Sequence, residues 1–111
     1  MNLFFIFDKY IDACQCIKIM EDRQFEKVAK ALADGRRFKI FQTVAESDGI
    51  CCGAVCEQFN VSQATVSHHL KELTESGLLD VRSEGQFKYW KVNTEVIGSY
   101  ISELQKRLNL K

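Results

Sequence analysis

The segment from Val61 to Leu73 constrains the fold more than any other, because it specifies both where a helix begins and which side of it is buried. Ser62 is placed to accept hydrogen bonds from the free amides of a first turn, and Val61 and Val66 flank that cap as a hydrophobic staple. At about 100° per residue, Val66, Leu70 and Leu73 fall on one side. Ala64, Ser67, His68 and Lys71 gather on the other, with Gln63 and Thr65 flanking them in the first turn. Small residues at 64 and 67 allow close approach to base edges, and Gln63, Thr65 and His68 carry hydrogen-bonding groups suited to bases or phosphates. The layout is that of a helix that enters a DNA groove, although the same face in isolation is an ordinary solvated surface.

Its neighbours give that face a context. Upstream, Cys52, Val55, Cys56 and Phe59 form a second short apolar stripe, and Asn60-Val61 has the length of the turn in a helix-turn-helix. Downstream, Leu78 to Arg82 and Phe87 to Val92 have strand-like content, separated by Ser83-Glu84-Gly85-Gln86 with a glycine suited to a hairpin turn. Helix, turn, helix and hairpin in this order predict a winged helix. Phe25, Val28, Ala29 and Leu32 predict an earlier helix that Gly35 ends in a left-handed conformation, followed by a helix carrying Phe38, Ile40, Phe41 and Val44. After Asn93 or Thr94 as cap, Ile97, Ile101, Leu104 and Leu108 form a seam along a C-terminal helix. The fold class is therefore mainly α with a small β-hairpin.

Ala31 to Phe41, Val61-Ser62-Gln63 through His69-Leu70, Glu75-Ser76-Gly77-Leu78 and Glu84-Gly85-Gln86 together resemble the ArsR/SmtB family of bacterial winged-helix repressors, over roughly residues 22 to 110. The resemblance implies a winged helix-turn-helix with α-helical dimerisation elements at both ends. It implies a homodimer on a double-stranded DNA operator, released by an inducer that in this family is often arsenite or another thiophilic metal ion. Two reading helices then meet half-sites about 34 Å apart. Residues 21–111 form the DNA-binding and dimerisation domain. Residues 1–20 are an extension outside the core, since Met20-Glu21-Asp22 has the form of a family start. If that extension folds, Leu3 to Phe7 with Tyr10, Ile11 and Ile17 make an amphipathic helix over the dimer seam. The expected DNA contacts are Ser62, Gln63, Ala64, Thr65, Ser67, His68 and Lys71 on the helix, with Arg82, Gln86 and Lys88 on the wing. Gln86 stands where relatives often carry arginine, which Lys88 or Arg82 compensates. Tyr89 and Trp90 alternate across a strand, and the resemblance implies that Trp90 is the core aromatic, because it falls where the family usually has tyrosine.

The chain's 111 residues, 46% of them hydrophobic, suffice for one small core, to which a dimer interface adds burial. The longest apolar run, Leu3 to Phe7, is too short for a membrane span or a signal peptide, and five cysteines without an export signal point to reduced thiols in the cytoplasm. The formal net charge is zero and residues 62–92 are likewise balanced, so no basic stripe is present. Phosphate attraction rests on Arg36, Arg37, Lys39, Lys71, Arg82 and Lys88, and a modest salt slope is expected.

Cysteines carry the sensor question. Metal-sensing relatives have a Cys-x-Cys pair in the first helix of the reading head; Cys51 matches its first position and Gly53 replaces the second. Cys52 and Cys56 lie one turn apart, so their sulfurs can share a soft ion, with a third thiolate from Cys51 or another segment. Some relatives complete a three-thiolate site with N-terminal cysteines of the partner subunit, so the resemblance implies that Cys14 and Cys16 join Cys51 or Cys52 across the dimer. Cys56 and Cys52 also occupy positions where a small buried residue packs. A zinc-type site on the C-terminal helix is excluded because residues 94–111 hold no histidine and only Glu95 and Glu103. His69 is expected at the core edge and His68 in the groove, about 100° apart and unable to share an ion. No phosphate-binding glycine loop or nucleophile-base pair supports an enzyme. The competing functions are a regulator without a metal site, redox-responsive or cysteine-independent, and a winged-helix protein-interaction module.

Overall fold

The computed structural model describes residues 20–110. In chain order its elements are α1 (Asp22–Ala33), α2 (Gly35–Ala45), β1 (Ile50–Cys51), α3 (Cys52–Cys56), α4 (Gln63–Glu75), β2 (Leu79–Glu84), β3 (Phe87–Val92) and α5 (Thr94–Arg107). The architecture is a winged helix-turn-helix, mainly helical, with one antiparallel sheet in the order β1-β3-β2. Cys14, Cys16 and the expected N-terminal amphipathic helix lie outside the described residues.

One core joins these elements. Val28 of α1, Ile40 and Val44 of α2, Val55 of α3 and Val66, Leu70 and Leu73 of α4 are fully buried, closed from below by Leu78 and Leu79. Each such side chain contributes roughly 1.5–3 kcal/mol of burial, so the inward face of α4 anchors it firmly to the scaffold. Phe38, expected among the inward residues of α2, is 40% exposed.

Several local expectations change. Gly35 does not end α1 in a left-handed conformation; it opens α2, because Asp34 takes the N-cap position and its carboxylate accepts the Arg37 N–H at 2.9 Å. The backbone amide bonds of Arg37 also hold the Asp34 carboxyl below its usual range. Helix α3 is only five residues long. Gln58 and Phe59 bond back three residues to Val55 and Cys56, tightening the chain, so Phe59 packs from the turn and not from the helix. The hairpin strands run on to Glu84 and Phe87, leaving a two-residue turn in which Gly85 has φ +61°. The strand β1 is additional: Ile50 pairs with Trp90 and Cys51 with Tyr89, tying the start of α3 to the wing.

The end of α4 is shaped by Gly77, whose φ is +93°. Leu78 N–H donates to Leu73 O and Gly77 N–H to Thr74 O, the two bonds of a Schellman ending, and the fully buried pair Leu73 and Leu78 supplies its apolar contact. The chain thus turns directly from the reading helix into β2.

Helix α5 is capped by Asn93, whose side chain accepts the Val96 N–H at 3.1 Å. Val96, Ile97 and Tyr100 face the chain's own core. Ile101 and Leu104 are half-buried outside that core, and Leu108 is 58% exposed, so the expected seam divides between the core and the surface. Arg107 fastens α5 to α1: it binds Asp22 at 2.7 Å and Glu103 at 3.1 Å, and its guanidinium lies 4.1 Å from the Phe25 ring centre. Among the described residues no helix is long and apolar enough to cross a membrane.

Candidate nucleic-acid interface

The outer face of α4 is assembled as its sequence pattern requires. Ser62 Oγ accepts the Thr65 N–H at 3.2 Å and lies 2.9 Å from Thr65 Oγ1, fixing the first turn. Val61 packs against the same core as Val66. With Val66, His69, Leu70 and Leu73 buried, Gln63, Ala64, Ser67, His68 and Lys71 are all exposed on the opposite side. Thr65 is half-buried and its hydroxyl is engaged by Ser62, so it flanks the face. His68 Nε2 lies 3.9 Å from the Glu72 carboxylate one turn on.

His69 occupies the core edge and is not part of the exposed face. Its Nδ1 accepts from Arg37 Nε at 3.5 Å, and Arg37 also donates to Lys30 O at 3.4 Å. Burial, reinforced by the Arg37 guanidinium, holds His69 below its ordinary value and keeps it neutral, as an acceptor of this bond must be. Arg37, expected among the phosphate contacts, is half-buried and instead braces α2 and α1 against the reading helix.

The wing separates its polar residues by face. Pairing of Val81 with Trp90 and Ser83 with Lys88 puts these four on the side toward α4, while Arg82 with Tyr89 and Glu84 with Phe87 occupy the other. Arg82 binds Glu84 at 3.1 Å and lies 5.8 Å over the Tyr89 ring, so its charge is already compensated. Gln86 sits at the exposed tip. Lys88 therefore stands apart from Arg82, and the fold brings it toward Lys71: both line a cleft of about 280 Å³ between α4 and the wing. Val81, Trp90, Thr74 and Glu75 share that cleft and were absent from the sequence-based set. Strand alternation would have placed Val81 beside Trp90, but only the tertiary fold sets α4 against them.

Cys52 and Cys56 lie one turn apart on α3, and both pack on the core edge. Burial, with the neighbouring Cys56 and Cys51 thiols, pushes the Cys52 thiol up. Cys51 precedes them at the end of β1. All three are free thiols. Among the described residues no group of three or more His, Cys, Asp or Glu side chains is arranged to hold a metal ion, so this region offers a soft thiol pair and not a complete site.

The helix-turn-helix domain family matches residues 32–82 of the chain. The arsenical resistance operon repressor of Bacillus subtilis strain 168 is 32% identical over 81 residues, covering 73% of this chain and 77% of the relative. The transcriptional repressor SdpR of the same organism is 33% identical over 82 residues, covering 74% and 90%. Among solved structures, the homodimeric winged helix-turn-helix DNA-binding domain of Mb0332 from Mycobacterium bovis, a possible ArsR-family regulator, superposes with a TM-score of 0.63 at 27% identity, covering 81% of this chain and 88% of that one.

Proposed function

The chain belongs to the ArsR family of winged-helix transcriptional regulators, and from that premise we propose that it represses transcription as a homodimer bound to a DNA operator. The observation that carries this is the division of α4: its inner face is completely buried and its outer face presents Gln63, Ala64, Ser67, His68 and Lys71 together. A rigid helix with an open polar face and small residues near its start fits a major groove. Ser62 and Thr65 set its first turn, and Gln86 and Lys88 on the wing meet the adjoining backbone, whereas Arg82 is engaged by Glu84 and Tyr89. Residues 21–111 form the unit that binds and dimerises. The outward apolar residues of α5 supply the dimer contact, and the repressor works in the cytoplasm, where its thiols stay reduced.

Fluorescence anisotropy on the gene's own upstream DNA, with excess unrelated duplex as competitor, tests the reading. A sequence-preferring complex that weakens with salt is expected, and K71A weakens it. Binding that the excess unrelated duplex abolishes refutes sequence-specific regulation, and no binding at all leaves the protein-interaction alternative.

For the inducer we propose a thiophilic ion such as arsenite. Cys52 and Cys56 supply two sulfurs, and the third comes from Cys51 or from Cys14 or Cys16. The support is the pair of free thiols one turn apart on the helix before the reading helix, together with the arsenical resistance function named for a relative. Thiol titration with arsenite, repeated on a Cys51/Cys52 double serine variant, tests this. Stoichiometric binding coupled to loss of DNA affinity is expected from the wild type only; release by peroxide but not arsenite selects the redox alternative, and unchanged release from the double variant selects a cysteine-independent one.

A further inference from the structure

The cleft between α4 and the wing has a composition that neither element shows alone. Its floor is apolar, made by Val81, which is 45% exposed, and the half-buried Trp90; its walls carry Lys71 from the helix and Lys88 from the wing. Among the described residues neither lysine is held in an ion pair. Glu75 is the one carboxylate in the lining, so the cleft holds a net single positive charge, which matches one phosphodiester. Ser67 and Lys71 belong both to this cleft and to the exposed face of α4, so the two surfaces are continuous. When α4 lies in a major groove and the wing lies beside it, the ridge that separates the grooves is the sugar-phosphate backbone, and it has to run between them.

We propose that this cleft seats one strand of the duplex, with Lys71 and Lys88 closing on a single phosphodiester while Val81 and Trp90 underlie the adjoining deoxyribose. The inference rests on the DNA-binding reading above and adds to it the apolar floor and the sharing of one phosphate by two lysines. An apolar floor under the sugar also excludes water from one side of the phosphate, which strengthens its attraction to the lysines.

Trp90 is the only tryptophan in the chain, so its emission reports this cleft directly. The full-length protein is titrated with labelled upstream duplex while label anisotropy and Trp90 emission are recorded together. Both are expected to change along the same isotherm and to reverse with salt. An anisotropy rise with unaltered emission overturns the cleft proposal and leaves DNA binding intact, whereas no rise in anisotropy removes both. Inorganic phosphate at the same concentration is expected to leave the emission unchanged; if it reproduces the full change, the cleft is an anion site that needs no strand.

Two sets of variants complete the test. The K71A/K88A double variant is expected to lower the logarithmic salt slope by about 2 per dimer, one phosphate in each half-site. A fall near 4, which gives each lysine its own phosphate, contradicts the sharing. V81S is expected to weaken binding severalfold at an unchanged slope, because it removes an apolar contact and no charge. Unaltered affinity in V81S refutes the sugar seat, and circular dichroism establishes that each variant is folded.

Discussion

Gly77 and His69 show how single residues hold the reading helix in place. A Cβ on Gly77 would sit 2.8 Å from Gln24 Nε2 and 3.6 Å from both Val96 methyl groups, on a backbone whose φ of +93° side chains rarely adopt. Gln24 is the end of a flexible side chain and can withdraw, losing only its long 3.5 Å bond to Ser76 O, so backbone conformation sets most of the cost. We expect G77A to destabilise the fold by about 1–2 kcal/mol, read as a lower urea midpoint at unchanged m value. A midpoint equal to wild type would mean that the Schellman ending is dispensable. For His69 the pH dependence has a definite sign. Because burial and Arg37 depress its folded-state value, the unfolded chain binds the proton first as pH falls, and stability drops with it. This contribution is complete above the ordinary histidine value near 6.5 and is lost as pH descends through the folded one. Asp34, also depressed, is lost only below the ordinary carboxylate range, which leaves the two windows separate. The urea midpoint is therefore expected to fall between pH 8 and pH 5.5 in wild type, with a flatter profile in H69Q. Equal profiles would show that His69 titration does not set this pH dependence.

At the scale of elements, α4 separates two roles of one position. Ser62 caps the helix through Thr65, and in the DNA-binding reading proposed above it also lies at the end that faces the duplex. S62A removes the cap and is expected to cost about 1 kcal/mol, whereas S62D retains a capping oxygen and stability near wild type. The aspartate also sets a negative charge against phosphate, so S62D should weaken DNA binding while remaining stable. Denaturation and anisotropy on both variants check this; full DNA affinity in S62D would place Ser62 away from the backbone. Much of α4 was legible in advance because its cap, staple and buried stripe are all local signals that agree with one another. Where two local signals collided, as at Asp34-Gly35, the outcome turned on a hydrogen bond: the carboxylate captured the Arg37 N–H and made a helix start of what the glycine alone marked as a stop. The two-residue strand at Ile50-Cys51 has no pattern of its own and exists only because Trp90 and Tyr89 offer a free edge. Arg37 and Arg82 looked like phosphate contacts as charges in a string. Their neighbours His69, Glu84 and Tyr89 come from pairing and packing that the string does not display.

For the whole molecule the decisive question is what covers the outer side of α5. Its inner residues Val96, Ile97 and Tyr100 are already used by the chain's own core, and Arg107 locks the helix to α1. Ile101, Leu104 and Leu108 are left over, at a spacing that forms one stripe. In the proposed homodimer a second copy packs on this stripe by a two-fold axis, so that two α4 faces on the same side bind two half-sites as one body. That linkage raises affinity by about 10²–10⁴ without any new contact to DNA. L104E introduces a charge at the centre of the stripe while leaving the core residues untouched, so the subunit is expected to stay folded and become monomeric in sedimentation equilibrium. Anisotropy should then show an affinity for upstream DNA lower by a similar factor, with a salt slope about half that of wild type, since half the phosphate contacts are lost. A folded L104E monomer with undiminished DNA affinity would show that one subunit suffices and that the stripe serves some other contact. An L104E protein that remains dimeric would move the interface elsewhere on the surface.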